Sequence, residues 1–348
     1  MIIDGQGITL DDDLTGLFLI SGRHHLIVRG FRVINVGPHR DNAGILVDRS
    51  SDIVLSECST ADTASSGIGV WASRRITIQG CRVERAGSGG WQESITVAGT
   101  EGFEVRSCTV RDCRKEGICL KDGSSRGTVH GNEVSGAFSV GIYVDAWNKP
   151  TRDIEVYANL VHDNAGTGIA LASEMGGRLE RIWIHDNVSF RNRWLGIQIS
   201  TNGDSPRHPM RGITVINNTC AGNGGEDWGG GIALDNPDAA DVLVRNNICS
   251  ANRYFQLLAA AGAARENATI DHNLVNEFRG TEDEILGGSP AQGDPLFVDP
   301  ARGDFHLRRG SPAIGAGSAE QAPPFDFDGH PRGGGRGASA CDIGAFQG

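Results

Sequence analysis

The chain is short of lysine: among 32 basic residues only Lys115, Lys121 and Lys149 are not arginine. It has 12 prolines, 3 methionines and 3 tyrosines, and no apolar run of eighteen residues, which excludes a membrane-spanning helix. A basic surplus is missing as well. The 32 basic residues face 43 acidic ones, a formal charge of -11, so a phosphate backbone is not the expected partner. No Cys-x-x-Cys pair suggests zinc, and there is no P-loop, nucleophile elbow or His-Glu-x-x-His. The glycine run Gly333 to Gly337 lacks the flanking strand and helix of a phosphate loop. The first residues, Met1-Ile2-Ile3-Asp4-Gly5, enter a strand-like pattern with no basic, then apolar, leader. A secreted or periplasmic protein whose leader lies outside this sequence is the preferred reading, with a cytoplasmic one as the alternative.

What is abundant is glycine, 50 of 348 residues, without the strict Gly-X-Y period of collagen. Much of it recurs in one tetrad, Gly-Ile-x-apolar. The tetrad starts at Gly44, Gly67, Ser94, Gly117, Gly141, Gly168, Gly196 and Gly231, at intervals of 23 to 35 residues. A second, alternating tetrad starts at Asp52, Arg75, Asp153, Arg181, Gly212 and Asp241. Six residues beyond these starts, and in the coils between, lies one polar column: Cys58, Cys81, Cys108, Asn132, Asn159, Asn187, Asn218, Asn247 and Asn273. Asn164, Asn192, Asn223 and Asn252 form another.

Short period-2 strands, repeated with a coil-length period and a polar residue at fixed offset, describe stacked coils. Equivalent residues would then sit about 4.8 Å apart, so that isoleucines stack inside and asparagines bond along the axis. The expected architecture is all-β: a right-handed parallel β-helix of about ten coils over residues 1–278, with an irregular C-terminal cap over 279–348. The ladder cysteines read as small buried thiols filling a stack, not as disulfides. Leu257 to Glu266 has the composition of a short helical turn.

Beyond residue 278 the period fails, and the tail reads Asp294-Pro295-Leu296-Phe297-Val298-Asp299-Pro300, Gly310-Ser311-Pro312-Ala313-Ile314, Asp326-Phe327-Asp328-Gly329 and Asp342-Ile343-Gly344-Ala345-Phe346. This tail and the coils before it resemble bacterial right-handed parallel β-helix repeat proteins of the pectate-lyase-like superfamily. The resemblance spans nearly the whole chain and implies the fold. It also implies a polysaccharide as partner, since the superfamily includes polysaccharide lyases, glycoside hydrolases, uronan epimerases and phage tailspikes. Glu116-Gly117-Ile118-Cys119-Leu120-Lys121 is similar to the Asp-Gly-Phe-x-x-Lys segment of one calcium-dependent pectate lyase family. The likeness stops there: that family's other calcium aspartates would fall near Val140 and Tyr143, and its catalytic lysine near Ala170.

Chemistry is expected where turns lengthen on a rigid scaffold, which here means residues 145 to 211 and the loops before Ser94 and Gly231. Trp91, Trp147, Trp194 and Trp228 lie on those loops, suited either to stacking on sugars or to pinning the loops. With Ile and the last apolar residue of each tetrad inward, Tyr143, Gln198, Lys121 and Asp145 point outward. Glu174 sits on the rim. The surviving lysines suggest an amine that must shed a proton, which a guanidinium cannot do.

The first expectation is therefore a lyase cleaving an acidic, uronic-acid-containing glycan by β-elimination. Lys121 would act with Asp145 and Glu174, and calcium would be held by Glu116, Asp122 and Asp145. Trp91, Tyr143, Trp147, Lys149, Arg193, Trp194, Gln198 and Trp228 would bind the substrate. An alternative is an inverting glycoside hydrolase using Asp145 and Glu174, about 8 Å apart along the backbone. A second alternative is a non-catalytic glycan-binding or tailspike-like module. No nucleic acid or membrane partner is expected, and the chain is expected to be a monomer. His130 and His185, beside Tyr157 on another outward column, read as solvated surface.

Overall fold

The computed structural model describes residues 1–10, 14–332 and 340–348; the Gly333 to Gly337 run lies outside them. Three parallel sheets of 12, 10 and 10 strands run along the molecule, and each coil gives one strand to each. In the coil after Gly117, Ile118–Lys121 lies in the second sheet, Ser125–His130 in the third and Glu133–Ser135 in the first. The Gly-Ile tetrads stack in register: Ile45, Ile68, Ile95, Ile118, Ile142, Ile169, Ile197 and Ile232 pair in succession. All eight are fully buried. Seven of the eight follow a glycine, and Ile95 follows Ser94; the glycine serves where coils approach closely. A Cβ on Gly141 would lie 2.5 Å from Val161 Cγ1 and 2.7 Å from the Gly168 carbonyl oxygen.

The corner between the third and first sheets explains the polar column. Just before each ladder residue, from Glu57 to His272, the backbone takes a left-handed φ, 52° at Asp186 for example. This turns the chain sharply and aims the next side chain along the axis. Asn132, Asn159, Asn187, Asn218, Asn247 and Asn273 are joined side chain to side chain at 2.9 to 3.0 Å. In the early coils cysteine fills the same place, with Cys58, Cys81 and Cys108 each 3.6 Å from a carbonyl oxygen of the preceding coil. All eight cysteines are free and buried. The second asparagine ladder ends on Gln256, whose Oε1 accepts from Asn252 at 2.8 Å. A short helix, Ala263–Glu266, interrupts the late coils.

The tail does more than close the end. Ile285 and Leu286 pack against the main core, and Ala291–Gln292 adds a strand to the first sheet. From there the chain runs back along the side: Phe297, Phe305, Ala313, Ile343 and Phe346 pack on Val188, Phe190, Ala221, Ile248 and Leu274. Arg332 binds buried Asp186 of a much earlier coil.

Candidate functional site

The outward column of the second sheet is less open than strand alternation implies. Tyr143, Asp145, Ala170, Ala172 and Gln198 are all buried, because the long rim loops fold over them. Asp145 fastens two of these loops. Its Oδ1 accepts from the backbone amides of Trp147, at 2.8 Å, and Glu174, at 3.2 Å. The Trp147 carbonyl in turn accepts from Met175 and Gly177. Glu174 Oε1 accepts from the Tyr143 hydroxyl at 2.5 Å. Tyr143, Asp145 and Glu174 thus form one cluster on adjacent coils.

The cluster is electrostatically uneven. Burial, with the nearby Glu174 charge adding to it, pushes Asp145 up to about 7, although the Trp147 and Glu174 amides oppose this. Burial likewise drives the Tyr143 hydroxyl well above its usual range. A carboxyl that titrates near neutrality beside a second carboxylate is the arrangement acid–base chemistry uses.

Lys121 belongs to a different group. Its Nζ lies 2.9 Å from Glu93 Oε1 and 3.2 Å from Gln92 Oε1, and no ion pair joins it to Asp145 among the described residues. Lys115 reaches the same Glu93 oxygen at 3.2 Å and Glu116 at 3.5 Å. Burial works against the charge on Lys121, but Glu93 outweighs it and raises the amine above its ordinary value. Burial also opposes the charge of Glu93, yet Lys121 and Lys115 hold it below the usual range. The amine is a locked cation, not the proton acceptor expected from lysine scarcity. Sequence reasoning left Glu93 out of the site, although it occupies the same place before its tetrad as Glu116.

Glu116, Asp122 and Asp145 do not fit a calcium shell. No group of three or more His, Cys, Asp or Glu able to hold a metal is gathered among the described residues. Glu116 is buried facing Lys115, and both amides described above occupy Asp145 Oδ1.

The tryptophans divide. Trp194 and Trp228, 52 % and 43 % exposed, line a groove of about 660 Å³ with Arg193, Gln198, Asn202 and Asp227. Trp147 is half exposed on the rim beside Asp145, with Lys149 exposed two residues on. Trp91 lies apart, with the Arg40 guanidinium 4.3 Å above its ring. Gln198 donates to Asp235 Oδ2 at 2.8 Å, bringing in a carboxylate not singled out from sequence. Burial pushes Asp235 up to about 6, against the Gln198 bond.

His185 is not solvated surface. It is 5 % exposed, with Nδ1 2.7 Å from Asp186 and Nε2 2.8 Å from Glu155. His130, Tyr157 and His185 stack with nearly parallel rings, centroids 4.6 and 5.0 Å apart.

Residues 6–159 match the family described as right handed beta helix region. The match covers less than half of the chain, and the stacked coils make its fold a parallel β-helix. This β-helix is 25 % identical over 374 residues to the uncharacterized protein YwoF of Bacillus subtilis (strain 168), covering 90 % of this chain and 77 % of that one. It is similar in structure to a rhamnogalacturonan lyase, with a TM-score of 0.57, 12 % identity, and 85 % and 80 % of the two chains covered. It is also similar to PfbA, a surface adhesin of Streptococcus pneumoniae, with a TM-score of 0.54, 12 % identity, and 74 % and 75 % covered. It spans 63 %, 60 % and 54 % of three other β-helix structures that it resembles. At such identities the likeness upholds the fold expected from the sequence and leaves the chemistry to the site.

Proposed function

We propose that this β-helix cleaves a glycan by acid–base hydrolysis through Asp145 and Glu174. The observation that carries the reading is the buried Asp145, raised to about 7 beside a Glu174 held by the Tyr143 hydroxyl. Near neutrality about half of Asp145 is protonated and can give its proton to the leaving glycosidic oxygen. Glu174, oriented by the Tyr143 hydroxyl, takes a proton from the attacking water, and exchange with solvent resets both groups. Trp147 beside the cluster, and Trp194 and Trp228 along the groove, offer apolar faces for sugar rings. The similarity to a rhamnogalacturonan lyase fits a glycan as substrate.

Elimination is less well supported, because the amine placed to take a proton is held as a cation by Glu93. The test is incubation with neutral, amino and uronan glycans, following reducing ends and ultraviolet-absorbing unsaturated ends in parallel. Reducing ends alone are expected, falling about a hundredfold or more in Asp145→Asn and Glu174→Gln and persisting in Lys121→Met. Unsaturated ends, or full activity in Asp145→Asn, would overturn the reading.

A further inference from the structure

The charges along the groove speak to the kind of glycan it takes, a question that rests on the reading above. Pairing runs from Asp145 to Ala172, from Leu171 to Ile199 and from Ile199 to Leu234. Asp235 therefore lies in the same outward column as Asp145, three coils farther on, about 14 Å away at the usual strand spacing. Gln198, which lines the Trp194 and Trp228 groove, lies on a coil between the two aspartates, paired in register with Ala170 and Ala233.

Cations near this path are largely neutralised. Lys121 is paired with Glu93, Arg178 with Glu180 at 3.6 Å, and Arg193 with Asp227 at 4.0 Å. Lys149 on the rim forms no ion pair among the described residues, and it stands at one end only. By contrast, no ion pair neutralises Asp145, Glu174 or Asp235 among the described residues. Asp235 carries a further sign of incompleteness. Gln198 occupies Oδ2, while Oδ1 is buried without a hydrogen-bond partner, a cost that a donor brought by a ligand would relieve after a small rotation of the carboxylate.

A polyuronate would set a row of carboxylates against these three, with no unpaired cation between them among the described residues to offset the repulsion. A chain of hydroxyls or ammonium groups can donate to Asp145, Glu174 and Asp235 without adding a like charge. We infer that the groove takes a neutral or amino-bearing glycan at least four units long, not a polyuronate, and that Asp235 with Gln198 determines this preference three coils from the cleavage point.

The full chain carrying Asp145→Asn, which retains Glu174 and Asp235, can be titrated calorimetrically with glucosamine, cellulose-type and galacturonate oligomers of two, four and six units. Affinity for the first two series should rise about tenfold between two and four units, as one added charge-assisted bond allows. Galacturonate of equal length should bind at least tenfold more weakly. Adding Asp235→Asn should remove the gain with length. Trp228→Ala, on an exposed loop, should reduce it without touching the carboxylate. Galacturonate binding as tightly as the neutral series, or an unchanged length dependence in the Asp235→Asn variant, would overturn the inference. This binding pattern in a wild-type protein that cleaves none of these glycans would uphold the inference and remove the hydrolase reading; cleavage of galacturonate alone would do the reverse.

Discussion

A side chain's chemistry here is set by what the neighbouring coil supplies. Lysine scarcity suggested an amine that sheds its proton, whereas Lys121 is paired with Glu93. Glu93 comes from a loop one coil earlier; it shares the position before its tetrad with Glu116, but the tetrad pattern does not tell that it reaches Lys121. With Glu93 only 3 % exposed and Lys121 at 16 %, Glu93→Ala should strand an ammonium in a poorly solvated place. The expected loss is about 3–5 kcal/mol in chemical denaturation. Asp145 behaves in the opposite sense. Its folded value, about 7, lies above the unfolded 3.8, so the folded state binds more protons in that window and stability falls as pH rises through it. Asp145→Asn keeps an oxygen for the Trp147 and Glu174 amides and has no charge to bury. The variant's melting temperature should therefore vary less than the wild type's between pH 5 and pH 8, with about 2–3 kcal/mol at stake in that window. Equal pH dependence in the two proteins would show that Asp145 is not the titrating group.

Strands and corners were far more legible than the site. The isoleucine and asparagine columns follow from fixed offsets, because each coil meets the next in register and a misplaced residue would break a bond or open a void. Asn187 illustrates how much rests on one position. Its amide nitrogen donates to the Val156 and His185 carbonyls and to Asn218, while its oxygen accepts from the amide and side chain of Asn159. Asn187→Ala should leave several buried groups unpaired and lower stability by about 2–4 kcal/mol. The same substitution at exposed Asn148 should change it by less than about 0.5 kcal/mol. Alternation misled at the rims for a physical reason. A strand's pleat fixes where a side chain points, but a loop from the next coil decides whether that direction meets water, and hence the titration of Asp145.

For the molecule as a whole, the tail was visible in the sequence as a loss of period, and its course was not. Some of its contacts lie more than a hundred residues away in the chain, as with Arg332 and Asp186, both nearly inaccessible. That pair continues through His185 to Glu155, tying the tail to the third sheet. Arg332→Met should leave Asp186 without its guanidinium and loosen the tail, seen as faster cleavage near residues 320–332 in limited proteolysis while the coils stay resistant. Cleavage at the wild-type rate would show that the apolar contacts of Phe297, Phe305 and Phe346 hold the tail unaided. The in-register stacking of the tetrads also bears on ancestry. Since a coil chiefly touches its two neighbours, duplicating one such as that beginning at Gly168 would lengthen the groove by a single rung and leave Asp145 and Asp235 in their own surroundings. Tandem duplication thus offers lineages with this scaffold a stepwise ruler, in which the reach between the two aspartates is adjusted one coil at a time.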